Sequence, residues 1–236
     1  MFILSSAVFN AYVQSDFFGK MIFLGLFILS ILSWMVLLYK IWQAKRVKRL
    51  SSQLEKLLSQ KDQLLNANLE YSANLFHPFY QIFKILKQTT LDVLNKNRFY
   101  SEEEKVFLSP SDINLVESHI AVEISHQSKL LEKNLFILST IVTLAPFLGL
   151  LGTVWGILVT FSNLQIHSLS SSNSAVLTGL SMALATTVLG LVVAIPALVS
   201  YNYLKHTIRD ITKDMEIFSH RMVTTIEMQY RRVDVK

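Results

Sequence analysis

The sequence lacks cysteine altogether, which excludes disulfide bonds and thiolate chemistry. It also lacks Asp, Glu, Lys and Arg throughout the stretch from Asn134 to Leu204, although charges are frequent on both sides of it. Because one bilayer crossing takes about 20 apolar residues, this charge-free run is long enough for two crossings. Hydrophobic residues make up 51% of the 236 residues and charged residues only 17%, a balance that favours a membrane protein.

A shorter charge-free run extends from Met21 to Leu38 and is just long enough for one more span. In hydrocarbon the backbone must satisfy its own hydrogen bonds, so all three spans should be helices. The remaining segments, Arg46 to Lys133 and Lys205 to Lys236, have the periodicity of polar helical sequence. We therefore predict an all-α membrane protein with three transmembrane helices and long cytoplasmic helical extensions.

The basic residues indicate how the chain is oriented. Lys20 is the only basic residue before the first span, and residues 163–174, which connect the second and third spans, contain none. Basic residues instead crowd the far end of the first span and follow the third: Lys40, Lys45, Arg46, Lys48, Arg49, Lys205 and Arg209. By the positive-inside rule, we expect an outer N-terminus, retained as a signal-anchor, and a cytoplasmic C-terminus.

These patterns divide the chain into seven segments of one helical architecture. The predicted bounds are 1–18 for an outer N-terminal segment, 19–41 for the first transmembrane helix, 42–134 for a cytoplasmic helical region, 135–162 for the second transmembrane helix, 163–174 for an outer loop, 175–201 for the third transmembrane helix and 202–236 for a cytoplasmic C-terminal helix.

Proline and capping residues punctuate the cytoplasmic region. His77-Pro78 should interrupt a helix, because proline cannot donate in a helix interior and restricts the residue before it. The sequence Ser109-Pro110-Ser111-Asp112 predicts a helix start with Ser111 or Asp112 as the N-cap. No breaker follows before Pro146, so we predict one uninterrupted helix from this cap into the second span.

Small residues recur at helical spacing in both halves of the long charge-free run. In the second span they form a stripe of Val142, Ala145, Pro146, Gly149, Thr153, Gly156 and Thr160. The third span has a matching stripe of Gly179, Ala183, Thr187, Gly190, Ala194 and Ala197. Such stripes let helix backbones approach closely, so one interpretation is packing alone, with the threonine hydroxyls bonded back to their own turns.

The other interpretation is that Thr153 and Thr187 line a polar path. A hydroxyl both donates and accepts a hydrogen bond, so it can position water or partner a carboxylate without a buried charge. Pro146 and Pro196 would open the hydrogen-bond ladders of their helices and allow bending. A proton path also needs an ionisable group, and the spans contain none. Either the path does not carry protons, or another subunit supplies the acid.

Two stretches of the run resemble the signatures of a known family. Gly149 to Ile157 reads GLLGTVWGI, and Thr187 to Ala197 reads TVLGLVVAIPA, followed by Tyr201-Asn202. They resemble the second-helix and third-helix signatures of the TolQ/ExbB/MotA proton-channel family, and the three-span layout resembles TolQ most. MotA-like members generally have four spans, which argues against that branch. The segment from Gln43 to Ser111 matches no motif.

The resemblance implies a proton-driven motor subunit of the bacterial inner membrane, so the outer side would be the periplasm. It implies a homopentamer around two copies of a single-span TolR/ExbD-like partner, whose membrane Asp faces Thr153 and Thr187. A TolA/TonB-like energy transducer would carry force to the envelope. We predict a Tol-Pal role in outer-membrane integrity and cell division. The alternatives are an ExbB-like subunit that energises outer-membrane transport and a non-conducting membrane scaffold.

One position departs from the family pattern. TolQ and ExbB proteins typically carry a Glu about a turn before the third-helix threonine, where this chain has Met182, which cannot titrate. We expect a variant but intact channel, because both threonines and the glycines remain. To packing and bending we assign Pro146, Gly149, Gly152, Gly156, Gly179, Ala183, Gly190 and Pro196.

The remaining polar residues support no other chemistry. His167 is the only titratable residue between the second and third spans, and we expect a solvated loop residue there rather than a pH sensor. No metal-ligand cluster, phosphate-binding glycine loop or nucleophile–base pair occurs in the sequence, so we predict no enzyme, no metal and no cofactor. The net charge of +5 is accounted for by topology and does not indicate nucleic acid.

Overall fold

The computed structural model describes residues 11–13, 15–59, 77–100, 107–166 and 173–230. These residues form five long helices and no β-strand, which confirms the all-α prediction for the described chain. The helices are α1 (Phe17–Ser59), α2 (Pro78–Tyr100), α3 (Pro110–Glu132), α4 (Leu135–Ile166) and α5 (Asn173–Tyr230). Three of them, α1, α4 and α5, are long and apolar enough to cross a membrane. The number of predicted spans is therefore confirmed.

The chain divides into two compact units. We call Met1–Lys40 together with Asn134–Leu204 the membrane unit, and Ile41–Lys133 together with Lys205–Lys236 the polar unit. The first holds the charge-free runs, and the second holds most of the charged residues. Each unit has its own packing chemistry.

The membrane unit has a small buried core between α1, α4 and α5. Its members are Ile22, Leu26, Ile141, Ala145, Val193, Ala194 and Ala197. Large apolar side chains elsewhere on the same helices remain exposed, including Phe27, Leu150 and Leu191. Such an exposed apolar surface is a liability in water, but lipid or a further subunit can cover it in a membrane.

The polar unit is packed by large side chains. The rings of Phe79 in α2 and Phe218 in α5 meet edge to face, with centroids 5.5 Å apart. Polar contacts also link its helices. Ser128 and Thr212 hydroxyls lie 3.1 Å apart, and the Leu108 N–H donates to the Tyr230 carbonyl at 2.9 Å. Burial of aromatic and aliphatic area stabilises this unit as it does an ordinary water-soluble bundle.

The start of α3 differs from the prediction. Its N-cap is Ser109, not Ser111 or Asp112, and Pro110 occupies the first helical position. The Asp112 N–H donates to the Ser109 hydroxyl at 3.2 Å, and the Ser109 N–H donates to the Asp112 carboxylate at 2.9 Å. Proline suits the first position because its missing N–H would have no helical partner there. The cap therefore falls on the residue before proline, and Asp112 completes a capping box.

The prediction of one uninterrupted helix from this cap into the membrane is wrong. α3 ends at Glu132 and α4 begins at Leu135, with Asn134 in the left-handed region at φ 69°. Asparagine tolerates that region better than most residues because its short polar side chain can bond locally. Neither glycine nor proline marks this break, so the sequence pattern does not predict it. The break coincides with the boundary between the two units.

Two other predicted boundaries can be compared with the helices. α2 begins at Pro78, and His77 caps it, since the Tyr80 N–H donates to His77 Nδ1 at 3.1 Å. α4 continues to Ile166 and α5 begins at Asn173, so helix extends into both ends of the predicted loop 163–174. His167 lies outside the described residues, as do most of the predicted N-terminal segment and residues 60–76.

Candidate functional site

The backbones of α4 and α5 touch at two glycines. A Cβ atom added to Gly190 would lie only 2.7 Å from the Ala145 carbonyl oxygen, and one added to Gly149 would lie 3.0 Å from the Thr187 Cα. Real Cβ atoms essentially never come as close as the first of these distances, and the second is tighter than ordinary van der Waals contact. Only glycine fits both positions without moving a helix, so this is the closest kind of helix–helix contact.

The same contact continues along both small-residue stripes. A Cβ at Gly156 would lie 2.9 Å from the Ala183 Cβ. Gly152 faces the Thr186 side chain, and Gly179 faces Thr160. From Ala145 to Thr160 the stripe runs about 22 Å along α4, at 1.5 Å per residue. The structure therefore places the two stripes against each other over most of a bilayer core.

Two threonine hydroxyls lie within hydrogen-bond distance of the Gly149 carbonyl oxygen. The Thr187 hydroxyl donates to the Gly149 carbonyl across the helix pair at 3.1 Å. The Thr186 oxygen lies 3.2 Å from the same carbonyl and 2.7 Å from the Ala183 carbonyl in its own helix. Because a hydroxyl has one hydrogen, Thr186 can serve only one of them at a time, and the shorter distance favours Ala183. Thr187 is then the donor that links α5 to α4.

The Gly149 carbonyl also connects the two predicted path residues. In an α-helix the carbonyl of residue 149 accepts the N–H of Thr153, and a carbonyl oxygen has two lone pairs. The Thr187 hydroxyl and the Thr153 backbone therefore share one acceptor. The Thr153 hydroxyl itself donates to Leu150 in its own turn at 2.7 Å. For Thr153 this is the back-bonding expected from packing alone, whereas Thr187 makes a bond between helices.

Both threonines keep unused hydrogen-bonding capacity. Each side chain is half-buried, and each hydroxyl donates its hydrogen to a backbone carbonyl. A hydroxyl oxygen retains two acceptor lone pairs, so each can still accept a hydrogen bond from a protonated carboxyl or from water. The pair can therefore receive a proton-bearing group without ionising. Thr186 is buried and its hydroxyl lies between two carbonyl oxygens, so it is unsuited to that task.

Met182, where the resemblance predicts a Glu, is packed in an apolar cluster. It is buried with Ala11 and Phe23, and Leu189 packs against the same cluster. The contact joins α5 to the start of α1 rather than to the stripe of α4. The Met182 side chain therefore provides van der Waals contact and no titratable group.

Sequence reasoning missed Asp16, the only carboxylate of the membrane unit. Its carboxylate accepts the Trp155 indole N–H at 2.8 Å and the Gly19 backbone N–H at 2.9 Å. The Phe18 ring lies 4.4 Å from the Trp155 ring, centroid to centroid. Asp16 thus caps α1 and ties its first turn to α4. From the sequence alone, Asp16 could be recognised as a helix cap, and the Trp155 indole N–H could be expected to need an acceptor. That the two groups bond to each other depends on the fold.

The two prolines lie inside continuous helices. α4 runs through Pro146 and α5 through Pro196, and each proline removes one ladder bond to the carbonyl four residues earlier. Their role in bending remains a prediction. Among the described residues no group of three or more His, Cys, Asp or Glu could hold a metal ion.

Comparison with known proteins gives a consistent result. The MotA/TolQ/ExbB proton channel family matches residues 91–217. The biopolymer transport protein ExbB of Aquifex aeolicus is 42% identical over 88 residues, 37% of this chain and 59% of the relative. ExbB of Helicobacter pylori strain J99 is 41% identical over 102 residues, 43% of this chain and 66% of the relative. ExbB of Pseudomonas putida is 31% identical over 202 residues, 84% of this chain and 56% of the relative.

The chain thus spans between about half and two thirds of the length of these relatives. Their names are all ExbB, so they favour the ExbB alternative over the Tol-type prediction. The family match itself covers more than half of the chain and includes both threonines, both glycines of the backbone contact and Met182. On this ground the chain belongs to the MotA/TolQ/ExbB proton channel family.

Proposed function

We propose that this chain is the ExbB-like channel subunit of a proton-driven motor in the bacterial inner membrane. With a single-span partner of the ExbD/TolR type, it would use proton-motive force to drive motion that energises outer-membrane transport. The observation that carries this proposal is the junction at Gly149. There the Thr187 hydroxyl of α5 donates to the carbonyl of Gly149, one turn before Thr153 in α4. The hairpin formed by α4 and α5, from Asn134 to Leu204, contains no charged residue.

The acid of the path has to come from another chain. The hairpin sequence from Asn134 to Leu204 contains no Asp or Glu, and Asp16 already accepts two hydrogen bonds outside the stripes. Met182 supplies no titratable group. A partner helix with one membrane Asp would provide the missing carboxyl, and Thr153 and Thr187 have the lone pairs to accept its proton-bearing form.

The exposed apolar surfaces support assembly with further subunits. Val154, Leu158 and Leu184 lie on the membrane helices and are more than half exposed in the single chain. In the proposed motor, five copies would enclose two partner helices and cover part of this surface. The N-terminus would face the periplasm and the C-terminus the cytoplasm, as the distribution of basic residues favours.

The ExbB-like and Tol-type roles share the same channel chemistry. They differ in the single-span partner and in the envelope process that the motor drives. The names of the relatives support the ExbB role, and the two systems differ in which single-span protein and which energy transducer copurify. A TolR-like and TolA-like pair would assign the chain to envelope maintenance and cell division instead.

The test is purification of the full chain from its native membrane in mild detergent. We expect a one-span protein with a membrane Asp to copurify, and substitution of that Asp by Asn should stop proton-driven activity while leaving the complex intact. The absence of any such partner would overturn the motor and favour a non-conducting scaffold.

A further inference from the structure

A concave surface of about 450 Å³ lies along one face of α1, in the polar unit. Its lining residues are Trp42, Lys45, Arg46, Arg49 and Leu50. They are spaced three, four, seven and eight positions from Trp42, which places all five side chains on one side of the helix. We call this surface the basic pocket. It lies outside the stripes of α4 and α5, and the proposed channel does not use it.

The three cations of the basic pocket have no acidic partner among the residues that the structure describes. The ion pairs of the polar unit involve side chains outside the pocket, such as Arg221 with Glu55. The Arg46 guanidinium lies over the Trp42 ring, 5.1 Å from its centroid. That contact orients Arg46 but leaves its N–H donors available, because a ring face accepts charge and no directed hydrogen bonds.

The pocket begins about one helical turn after the first charge-free run ends at Leu38. The headgroup layer of each leaflet is about 5–7 Å deep, and Trp is enriched at this level. Trp42 follows Leu38 by about 6 Å of helix, at 1.5 Å per residue, so we infer that it lies at this level. The long side chains of Lys45, Arg46 and Arg49 can extend back toward the same layer. Apolar walls from Trp42 and Leu50 adjoin the charges, as a ligand with both a charged and an apolar part requires.

We propose that the basic pocket binds the phosphate headgroup of an anionic phospholipid. The guanidinium groups of Arg46 and Arg49 match phosphate oxygens with paired N–H donors, and Lys45 adds a third positive charge. A lipid is favoured over a free phosphate ion because the pocket adjoins the span and presents apolar surface beside its donors. The bound lipid would fix the exit of α1 at the membrane surface.

The test uses the full chain, stripped of lipid in detergent and titrated with phosphatidylglycerol or with phosphatidylcholine of identical acyl chains. Bound lipid is counted by native mass spectrometry. The variants are Arg46→Gln and Arg49→Gln, and the matched control is Lys48→Gln. Lys48 is exposed on the same turn, carries the same charge and lies on a different face of the helix. Helix content by circular dichroism verifies that each variant is folded.

We expect wild type to bind phosphatidylglycerol in preference to phosphatidylcholine, and each arginine variant to lose about fivefold in affinity for it. Lys48→Gln should bind as wild type does, and excess inorganic phosphate should not displace the lipid. Three results would overturn the proposal. They are equal binding of both lipids by wild type, an equal loss in Lys48→Gln, which would mean diffuse attraction only, and displacement by inorganic phosphate, which would assign the pocket to a soluble anion.

Discussion

In the membrane unit α4 and α5 meet through glycine, alanine and threonine, whereas in the polar unit α2 and α5 meet through phenylalanine rings. The difference follows from the solvent. In water, burial of a large apolar side chain is strongly favourable, so the polar unit gains from Phe79 and Phe218. In lipid that gain is absent, and close backbone contact with hydroxyl–carbonyl bonds takes its place. The membrane contact therefore contains hydroxyl groups, whose oxygen lone pairs can also accept a hydrogen bond.

The largest expected effect is in the polar unit. Phe218→Ala should destabilise it by about 3–5 kcal/mol, because Phe218 is fully buried against Phe79 and removal of its ring leaves a cavity. The neighbouring Ile217 is 52% exposed, so Ile217→Ala should cost about 0.5 kcal/mol or less. Chemical unfolding of both variants measures the difference. Equal losses would mean that aromatic packing does not hold this unit together.

The membrane unit should respond instead to the smallest possible side-chain addition. Gly190→Ala places a methyl group 2.7 Å from the Ala145 carbonyl and should cost about 1–3 kcal/mol by forcing the helices apart. Gly25→Ala is the matched control, since its added Cβ meets nothing within 4 Å, and it should be neutral or slightly stabilising in a helix. Thermal stability in detergent distinguishes them. Similar melting temperatures for the two variants would refute the close contact.

The Asp16–Trp155 bond tests whether polar bonds also hold α1 to α4. Trp155→Phe keeps the ring beside Phe18 and removes the indole donor, so it should cost about 1.5–3 kcal/mol, the usual value for a hydrogen bond to a charged group. Trp34→Phe changes an exposed ring and should be close to neutral. The readout is thermal unfolding in detergent. An undiminished stability in Trp155→Phe would show that the rings alone hold the contact.

The polar unit should also depend on pH through His77. Burial lowers the pKa of His77 from its ordinary value of about 6.5, although hydrogen bonding of the ring to its own backbone and to that of Leu50 partly opposes the shift. The folded state then binds fewer protons than the unfolded state. The contribution of His77 is therefore complete above about pH 6.5 and is lost as the pH falls through the lowered pKa.

His77→Asn keeps a capping acceptor and removes the titrating ring, so the loss of stability on acidification should become smaller. His119→Asn replaces an exposed histidine of α3 and serves as the control variant. Unfolding midpoints across the acidic range measure both. A wild-type pH profile in His77→Asn would assign the acid sensitivity to other groups.

Much of the fold follows from composition and periodicity. The absence of charge from Asn134 to Leu204 predicts the hairpin, because lipid tolerates little else. The break at Asn134 was not predictable in the same way. It has no glycine or proline, and a single left-handed Asn leaves the hydrophobic period almost undisturbed.

The candidate site was predictable as a set of residues but not as a set of bonds. A helical period identifies which side of α4 and α5 is small, yet it permits several registers between the two helices. Only the structure shows that Thr187 meets the Gly149 carbonyl rather than another turn. It also shows Thr186, which the sequence left without a role, buried in the same contact. The Asp16–Trp155 pairing spans 139 residues, beyond any local pattern.

Proton flux tests the central claim most directly. The full chain and its single-span partner would be reconstituted in vesicles, and flux driven by a membrane potential compared among Thr153→Val, Thr187→Val and the matched control Thr143→Val. Thr143 also donates to its own helix, at 2.9 Å, but it is exposed and outside the stripe. We expect both stripe variants to assemble and lose flux, while Thr143→Val conducts like wild type. Wild-type flux in Thr153→Val and Thr187→Val, or an equal loss in Thr143→Val, would contradict the proton path.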